Sequence, residues 1–147
     1  MPIVHNTFSL ERSYPVSAER VYAAWATLEG KAKWFAGPPP WQLVKREFDF
    51  RVGGVEVLHG RFPGNHETVF AARYHHIEPG RFIVYDYDMS VDGVRISSSL
   101  VTIELAPAGP KTRMLVTEQG VFFDGLESAG SREKGTAQLI EKLGASL

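Results

Sequence analysis

The chain has 147 residues, no cysteine and a formal net charge of −1. Without cysteine, disulfides, thiolate metal ligands and a cysteine nucleophile are excluded, and without a basic excess a nucleic-acid partner is not expected. The length predicts a single domain over residues 1–147. No run of about 18 apolar residues and no secretory leader are visible, so we expect a cytoplasmic protein without a membrane span.

The first part of the chain predicts one strand followed by two helices. Apolar and polar residues alternate over 7–14, which is typical of a half-buried strand. Ser17 then has the position and chemistry of an N-cap, and apolar residues recur at helical spacing over 18–28, so a helix is predicted there. A short second helix is predicted over 30–35, and the prolines at 38–40 end it with a stiff loop.

The middle of the chain predicts an antiparallel meander of strands. Turn signals built from glycine, proline, asparagine and aspartate recur there at strand-length intervals. Consecutive strands joined by tight turns pair antiparallel. The segments between the turns are rich in β-branched and aromatic residues, and they span 44–52, 55–62, 67–78, 81–90, 94–105 and 111–122.

A long amphipathic helix is predicted over 131–147, with Ile140 on its apolar face. An open antiparallel sheet must cover one face, and this helix is long enough and late enough in the chain to do so. The fold class is therefore predicted to be α+β, with a curved seven-stranded sheet wrapped around the C-terminal helix. Because a strongly twisted sheet is wider than one helix can fill, we expect a ligand cavity beside that helix.

Aromatic residues are the main candidates for the wall of this cavity, and core packing is the alternative use for them. Trp34, Phe35 and Trp41 flank the proline loop, so we interpret them as its mouth. Tyr85 and Tyr87 share the more apolar face of one strand, and on an inward face their hydroxyls need partners. The residues predicted to bind a ligand are Trp25, Trp34, Phe35, Trp41, Phe48, His59, Tyr85, Tyr87, Ser97, Ser99, Gln119 and Ile140.

Polar residues in the strands give weaker signals. His59 alternates with two valines, so it either faces the cavity or lies on the surface. Ser97, Ser99 and Gln119 are predicted to be small polar contacts in the cavity. No G-x-S-x-G nucleophile elbow is present, so we assign no catalytic residue.

Neither a metal nor another cofactor is expected from the histidines and charged residues. The adjacent His75 and His76 point to opposite faces of a regular strand and cannot chelate one ion together. Asp86 and Asp88 are predicted to be solvated. The strand carboxylates are expected to pair with arginines across the sheet, and they are Asp49, Glu104 and Glu118. One inward arginine would suit a ligand carboxylate, and the sequence does not choose among Arg51, Arg73, Arg95 and Arg113.

Several motifs, in order along the chain, resemble one known family. VSAERVYAAW at 16–25, followed by WFAGP at 34–38, resembles the opening of the activator of heat-shock-protein-90 ATPase homologue family. Three later segments also resemble motifs of this family, namely DFRVGG at 49–54, YHHIEPGRF at 74–82 and TRMLVTEQG at 112–120. Family members often carry Gly-Trp near the start of the last helix, where this chain has Gly135-Thr136.

The resemblance implies the helix-grip fold of the START-like (SRPBCC) superfamily, with two short helices after the first strand. It also implies a small hydrophobic ligand, a lipid, polyketide or aromatic molecule, held between the sheet and the last helix. Two alternatives stay open. One is a co-chaperone in the stress response with a chaperone partner, and the other is a cyclase- or hydrolase-like enzyme that uses the same cavity. Of these we favour a protein that is not an enzyme, and we leave a homodimer open.

Overall fold

The computed structural model describes residues 3–64, 66–123 and 129–147. The described elements alternate as the sequence predicts, with one strand, two short helices, six strands and a last helix. In chain order they are β1 (Ile3–Tyr14), α1 (Ala18–Ala26), α2 (Leu28–Ala32), β2 (Gln42–Phe48), β3 (Val55–Phe62), β4 (His66–Glu78), β5 (Phe82–Val91), β6 (Val94–Ala108), β7 (Lys111–Phe123) and α3 (Ala129–Ser146).

The two short helices follow each other directly because Thr27 caps both of them. Its hydroxyl donates to the carbonyl of Ala23 at 2.8 Å and accepts from the amide of Gly30 at 3.0 Å. The helices predicted over 18–28 and 30–35 are therefore shifted, since one threonine ends α1 and begins α2. Within the described ranges, no helix is both long and apolar enough to cross a membrane.

The seven described strands form one antiparallel sheet, which confirms the predicted α+β helix-grip architecture. The strand order is β1-β7-β6-β5-β4-β3-β2, so the first strand pairs with the last and β2 lies at the opposite edge. Register shifts interrupt the ladders between β2 and β3, between β4 and β5, and between β5 and β6. Such bulges bend strands and increase their twist, which allows the sheet to curl around α3.

A solid core fills one end of the space between the sheet and α3. Ile103 on β6, Met114 on β7 and Leu143 on α3 are each 0% exposed. The indole Nε1 of Trp25 lies 3.4 Å from the sulfur of Met114, which ties α1 to the same core. Further along β6, towards Val101, the packing opens into a cavity.

Candidate ligand cavity

The cavity lies between the concave face of the sheet, the α1–α2 segment, the loop before β2 and the part of α3 from Ser131 to Lys142. Its volume is about 550 Å³, within the range of about 300–1,000 Å³ that is typical of small-molecule sites. Most of the wall is apolar, and its charged members among the described residues are Glu118, Arg132 and Lys142. The aromatic rings in the wall are Trp25, Trp34, Phe35, Trp41, Phe62, Phe70, Tyr85 and Tyr87.

All three tryptophans of the chain line this cavity. Trp34 is fixed by a hydrogen bond of 2.9 Å from its Nε1 to the carbonyl of Ala24, and its ring meets Trp25 edge-on at 4.7 Å. Both indoles are buried, so they belong to the core and to the wall at once. From the sequence, core packing and a place in the cavity wall were alternatives for the aromatic residues. In the structure, each of these two indoles does both.

Trp41 forms the wall beside the loop before β2, and two glycines make room for it. A Cβ added at Gly60 would lie 1.8 Å from Cε2 of Trp41, and one added at Gly37 would lie 2.3 Å from its Cγ. Both backbones therefore press against the ring, which no other residue type would permit. The indole Nε1 donates to the hydroxyl of Thr68 at 3.1 Å, so the ring is held in one orientation.

A buried polar network closes one side of the cavity. Glu118 Oε2 accepts hydrogen bonds of 2.8 Å from the hydroxyls of Tyr87 and Ser99, and it lies 3.3 Å from Arg132 Nη1. Arg132 also donates from Nη1 to the Tyr87 hydroxyl and from Nη2 to the Ser97 hydroxyl, both at 2.7 Å. We call these five residues the Glu118 network. It brings together residues from β5, β6, β7 and α3, so it joins the last helix to the sheet.

The tyrosines of β5 are hydrogen-bond donors at physiological pH. Burial raises the pKa of Tyr87, and the charge of Glu118 raises it further. Burial also raises the pKa of Tyr85 well above its usual value. Tyr85 lines the cavity, and among the described residues none forms a hydrogen bond with its hydroxyl. This hydroxyl is therefore a neutral donor available to a molecule in the cavity.

A second buried ion pair lies behind the aromatic wall. Lys31 Nζ is 2.9 Å from Glu56 Oε1, and the Tyr74 hydroxyl donates to the same oxygen at 2.5 Å. Burial lowers the pKa of Lys31, whereas the charge of Glu56 raises it. The ammonium lies within 6 Å of five ring centroids, and four of those rings line the cavity: Trp25, Trp34, Phe35 and Tyr85, with Phe48 as the fifth.

Seven of the predicted ligand-binding residues lie in the wall, namely Trp25, Trp34, Phe35, Trp41, Tyr85, Tyr87 and Ile140. Ser97 and Ser99 are buried in the Glu118 network, one layer behind the wall surface. Phe48 stacks on Phe50, away from the cavity, with ring centroids 6.0 Å apart. The structure therefore brings most of the predicted set together and places these three residues behind it.

His59 and Gln119 are corrected by the structure, because each lies on the other face of its strand. On β3 the inward residues are Glu56, Leu58 and Gly60, so His59 faces outward, with its Nε2 3.3 Å from Glu67 Oε2. Gln119 is exposed and pairs across the strands with exposed Leu100. Cross-strand partners share a face, so the buried Glu118 takes the inward position.

Two further expectations concern the histidines and the arginines. A bulge at His75 leaves both His75 and His76 exposed on β4, where His75 bonds to Asp86. In the part of the chain that the structure describes, no cluster of three or more histidine, aspartate or glutamate side chains could hold a metal ion. Arg132 on α3 faces the cavity, whereas the four arginines proposed from the sequence are all exposed: Arg51, Arg73, Arg95 and Arg113.

Three functional side chains were not identified from the sequence. Arg132 lies four residues before Thr136 and eight before Ile140, so it shares the apolar stripe of α3. Lys31 lies three residues before the buried Trp34, which is a helical interval, and Glu56 sits two residues before the buried Leu58. Each of these residues is a charged residue at a position where the pattern predicts a buried side chain. Its burial could be understood only once the structure showed the residue that pairs with it.

A sheet that closes on its last helix over an aromatic cavity defines a helix-grip domain of the START-like type. The family model described as "Activator of Hsp90 ATPase homolog 1-like protein" matches residues 15–147. The chain therefore belongs to this family, as the motifs predicted.

Solved structures of bacterial proteins agree with this assignment. The Mll3558 protein from Rhizobium loti is 41% identical, with 100% of each chain covered and a TM-score of 0.93. An uncharacterised protein from Rhizobium leguminosarum is 34% identical, over 99% of this chain and 95% of that one, with a TM-score of 0.93. The CV1439 protein from Chromobacterium violaceum is 26% identical over 95% of both chains, with a TM-score of 0.78. No curated protein matches the chain significantly.

Proposed function

We propose that this protein binds a small, largely apolar molecule in the cavity between the sheet and α3. The observation that carries the proposal is the cavity itself, with a volume of about 550 Å³ and eight aromatic rings in its wall. Aromatic rings offer large apolar contact areas, and a few fixed polar groups set the orientation of a ligand. Here the Tyr85 hydroxyl and the Glu118 network provide those polar groups.

The wall is organised before a ligand arrives, which favours binding. Trp34 and Trp41 each have a hydrogen bond that fixes the ring, and the Lys31–Glu56 pair packs behind several of the other rings. A preformed wall lowers the entropy that must be lost on binding. We propose binding rather than catalysis because the charged groups described on the polar side of the wall, Glu118 and Arg132, are already bonded to each other.

The first experiment is native mass spectrometry of the protein after gentle purification from its host, with a variant that fills the cavity. Thr136 lines the cavity on α3, whereas Lys134 is exposed on the same helix. Thr136→Trp is expected to remove any retained mass, and Lys134→Trp to keep it. A thermal-shift screen with fatty alcohols, fatty acids and aromatic molecules gives the second readout. If no retained mass and no stabilising compound are found for the unmodified chain, the proposal is rejected.

Binding to a chaperone is the second candidate, and one surface feature favours it. Apolar side chains are exposed at both ends of the edge strand β2, with Leu43 and Val44 at its start and Val52 and Val55 in and after the turn that follows it. An edge strand that exposes its backbone and apolar side chains is a ready site for pairing with another chain. Stimulation of the ATPase of a purified Hsp90-type chaperone, lost in Leu43→Ser, would support this role. An unchanged ATPase rate at saturating protein would end it.

A further inference from the structure

The Glu118 carboxylate is engaged on one side only. Its Oε2 oxygen accepts from Tyr87 and Ser99 and pairs with Arg132. Among the residues that the structure describes, none donates a hydrogen bond to the other oxygen, Oε1. The side chain is 3% exposed and belongs to the cavity wall. Oε1 is not among the fully buried side-chain atoms that lack a partner, so it is accessible from the cavity, and a carboxylate oxygen there can accept a hydrogen bond from a bound molecule.

The register of the sheet places this carboxylate on the inward face. Tyr85 pairs with Val101, and Val101 pairs with Glu118, so the three residues form one row across β5, β6 and β7. Residues in such a row share a face. Tyr85 and Val101 also line the cavity, so the row forms part of its floor.

We propose that the cavity selects an uncharged ligand that donates a hydrogen bond, through an alcohol or phenol hydroxyl, to Glu118 Oε1. This inference rests on the proposed function and specifies the chemical class of the ligand. An ionised carboxylate only accepts hydrogen bonds, so its natural partner is a donor. The ligand hydroxyl would take the donor position that no described residue occupies.

The charges in the wall disfavour an anionic ligand. Arg132 is compensated by Glu118 at 3.3 Å, so it offers little net positive charge to a carboxylate. A second carboxylate near Glu118 would meet like charge in a low-dielectric site, where repulsion is strong. Lys142, the other cation of the wall, is exposed, and solvent and salt screen its charge. A fatty acid is therefore expected to bind less well than the corresponding alcohol.

A matched set of naphthalenes tests the inference by calorimetric titration at pH 7. The set contains 2-naphthol, 2-methoxynaphthalene and 2-naphthoate, which share one ring system and differ in one substituent. A hydrogen bond to a charged acceptor is expected to make 2-naphthol about 10- to 100-fold tighter than its methyl ether. The naphthoate is expected to be the weakest of the three.

Two variants test whether Glu118 causes the preference for 2-naphthol over its methyl ether. Glu118→Gln is expected to reduce the ratio of the naphthol and ether affinities at least severalfold, and Gln119→Ala, on the outer face, to leave it unchanged. Because Glu118→Gln removes the carboxylate that pairs with Arg132 and can impair folding, the ratio in the unmodified chain is the primary test. Equal affinities for 2-naphthol and 2-methoxynaphthalene overturn the inference while the proposed function stands. Failure of all the probes, together with failure of the ligand screen, overturns both.

Discussion

The buried pair of Lys31 and Glu56 offers a sharp test of how the aromatic wall is held. Both side chains are almost fully buried, at 2% and 1% exposure, with 2.9 Å between Nζ and Oε1. Lys31→Met keeps most of the length of the side chain and removes its charge. It leaves the Glu56 carboxylate with the Tyr74 hydroxyl and with an Oε2 atom that already lacks a partner in the described structure.

The expected cost follows from this isolation of a buried charge. Removing one member of a buried ion pair typically costs about 3–5 kcal/mol, because the other charge stays desolvated and unpaired. That loss is a large fraction of a domain stability of about 5–15 kcal/mol. Glu56→Gln keeps an acceptor for Tyr74, so the double variant Lys31→Met/Glu56→Gln removes both charges and should lose much less than the sum of the two single variants.

The assay is urea unfolding at pH 7, followed by tryptophan fluorescence, because all three indoles lie in the wall. A surface pair of the same residue types provides the control. Lys45 and Glu47 are also 2.9 Å apart, but their side chains are 60% and 45% exposed, so Lys45→Met should change the unfolding free energy by less than about 1 kcal/mol. A loss below about 1 kcal/mol for Lys31→Met, or strictly additive single variants, would refute the reasoning.

Three further variants test the wall and the core. Gly60→Ala places a methyl group in the ring of Trp41, so it should cost about 1–3 kcal/mol and shift the indole resonance of that residue, whereas Gly130→Ala, with open space around it, should do neither. Tyr85→Phe removes a hydroxyl that no described residue hydrogen-bonds, so it should leave the free energy of unfolding nearly unchanged and weaken the binding of 2-acetylnaphthalene about two- to tenfold by calorimetry. Tyr14→Phe removes a buried hydroxyl that no described residue satisfies, so urea unfolding at pH 7 should show equal or higher stability. Burial raises the pKa of Tyr14 from 10.0 to about 12; the unfolded chain therefore loses this proton first, and the contribution of Tyr14 falls as the pH rises from 10 to about 12. Between pH 10 and about 12, the free energy of unfolding should therefore fall less in Tyr14→Phe than in the unmodified chain. An equal fall in both proteins would contradict this prediction.

The order and type of the strands and helices could be predicted from the sequence because they depend on local patterns of residues. Strand-length spacing of turn residues and one long amphipathic helix were enough to predict the sheet and its position against α3. The inward direction of Tyr85 and Tyr87 was also readable, because their strand alternates clearly between apolar and acidic positions. These signals depend on neighbours within a few residues along the chain.

The polar side of the cavity was not readable because its signals depend on partners far away in the sequence. On β3, two valines suggested the inward face, yet Glu56 is the buried residue because Lys31 neutralises it. On β7, Gln119 was chosen over Glu118, since a buried carboxylate is unfavourable until Arg132 and the tyrosine hydroxyls are in place. Alternation shows that successive side chains of a strand face opposite sides of the sheet. It does not show which set faces inward when a charged residue belongs to that set.

The central claim is that a ligand occupies the space between the sheet and α3, and the three indole N–H resonances test it most directly. In a titration of the ¹⁵N-labelled protein with 2-naphthol, the indole signals of Trp25, Trp34 and Trp41 are expected to shift together and saturate at one common dissociation constant. In the Thr136→Trp variant, addition of 2-naphthol should not move the signals of these three residues. Saturable shifts confined to outer-face residues such as Gln119, with all three indoles unmoved, would contradict the account.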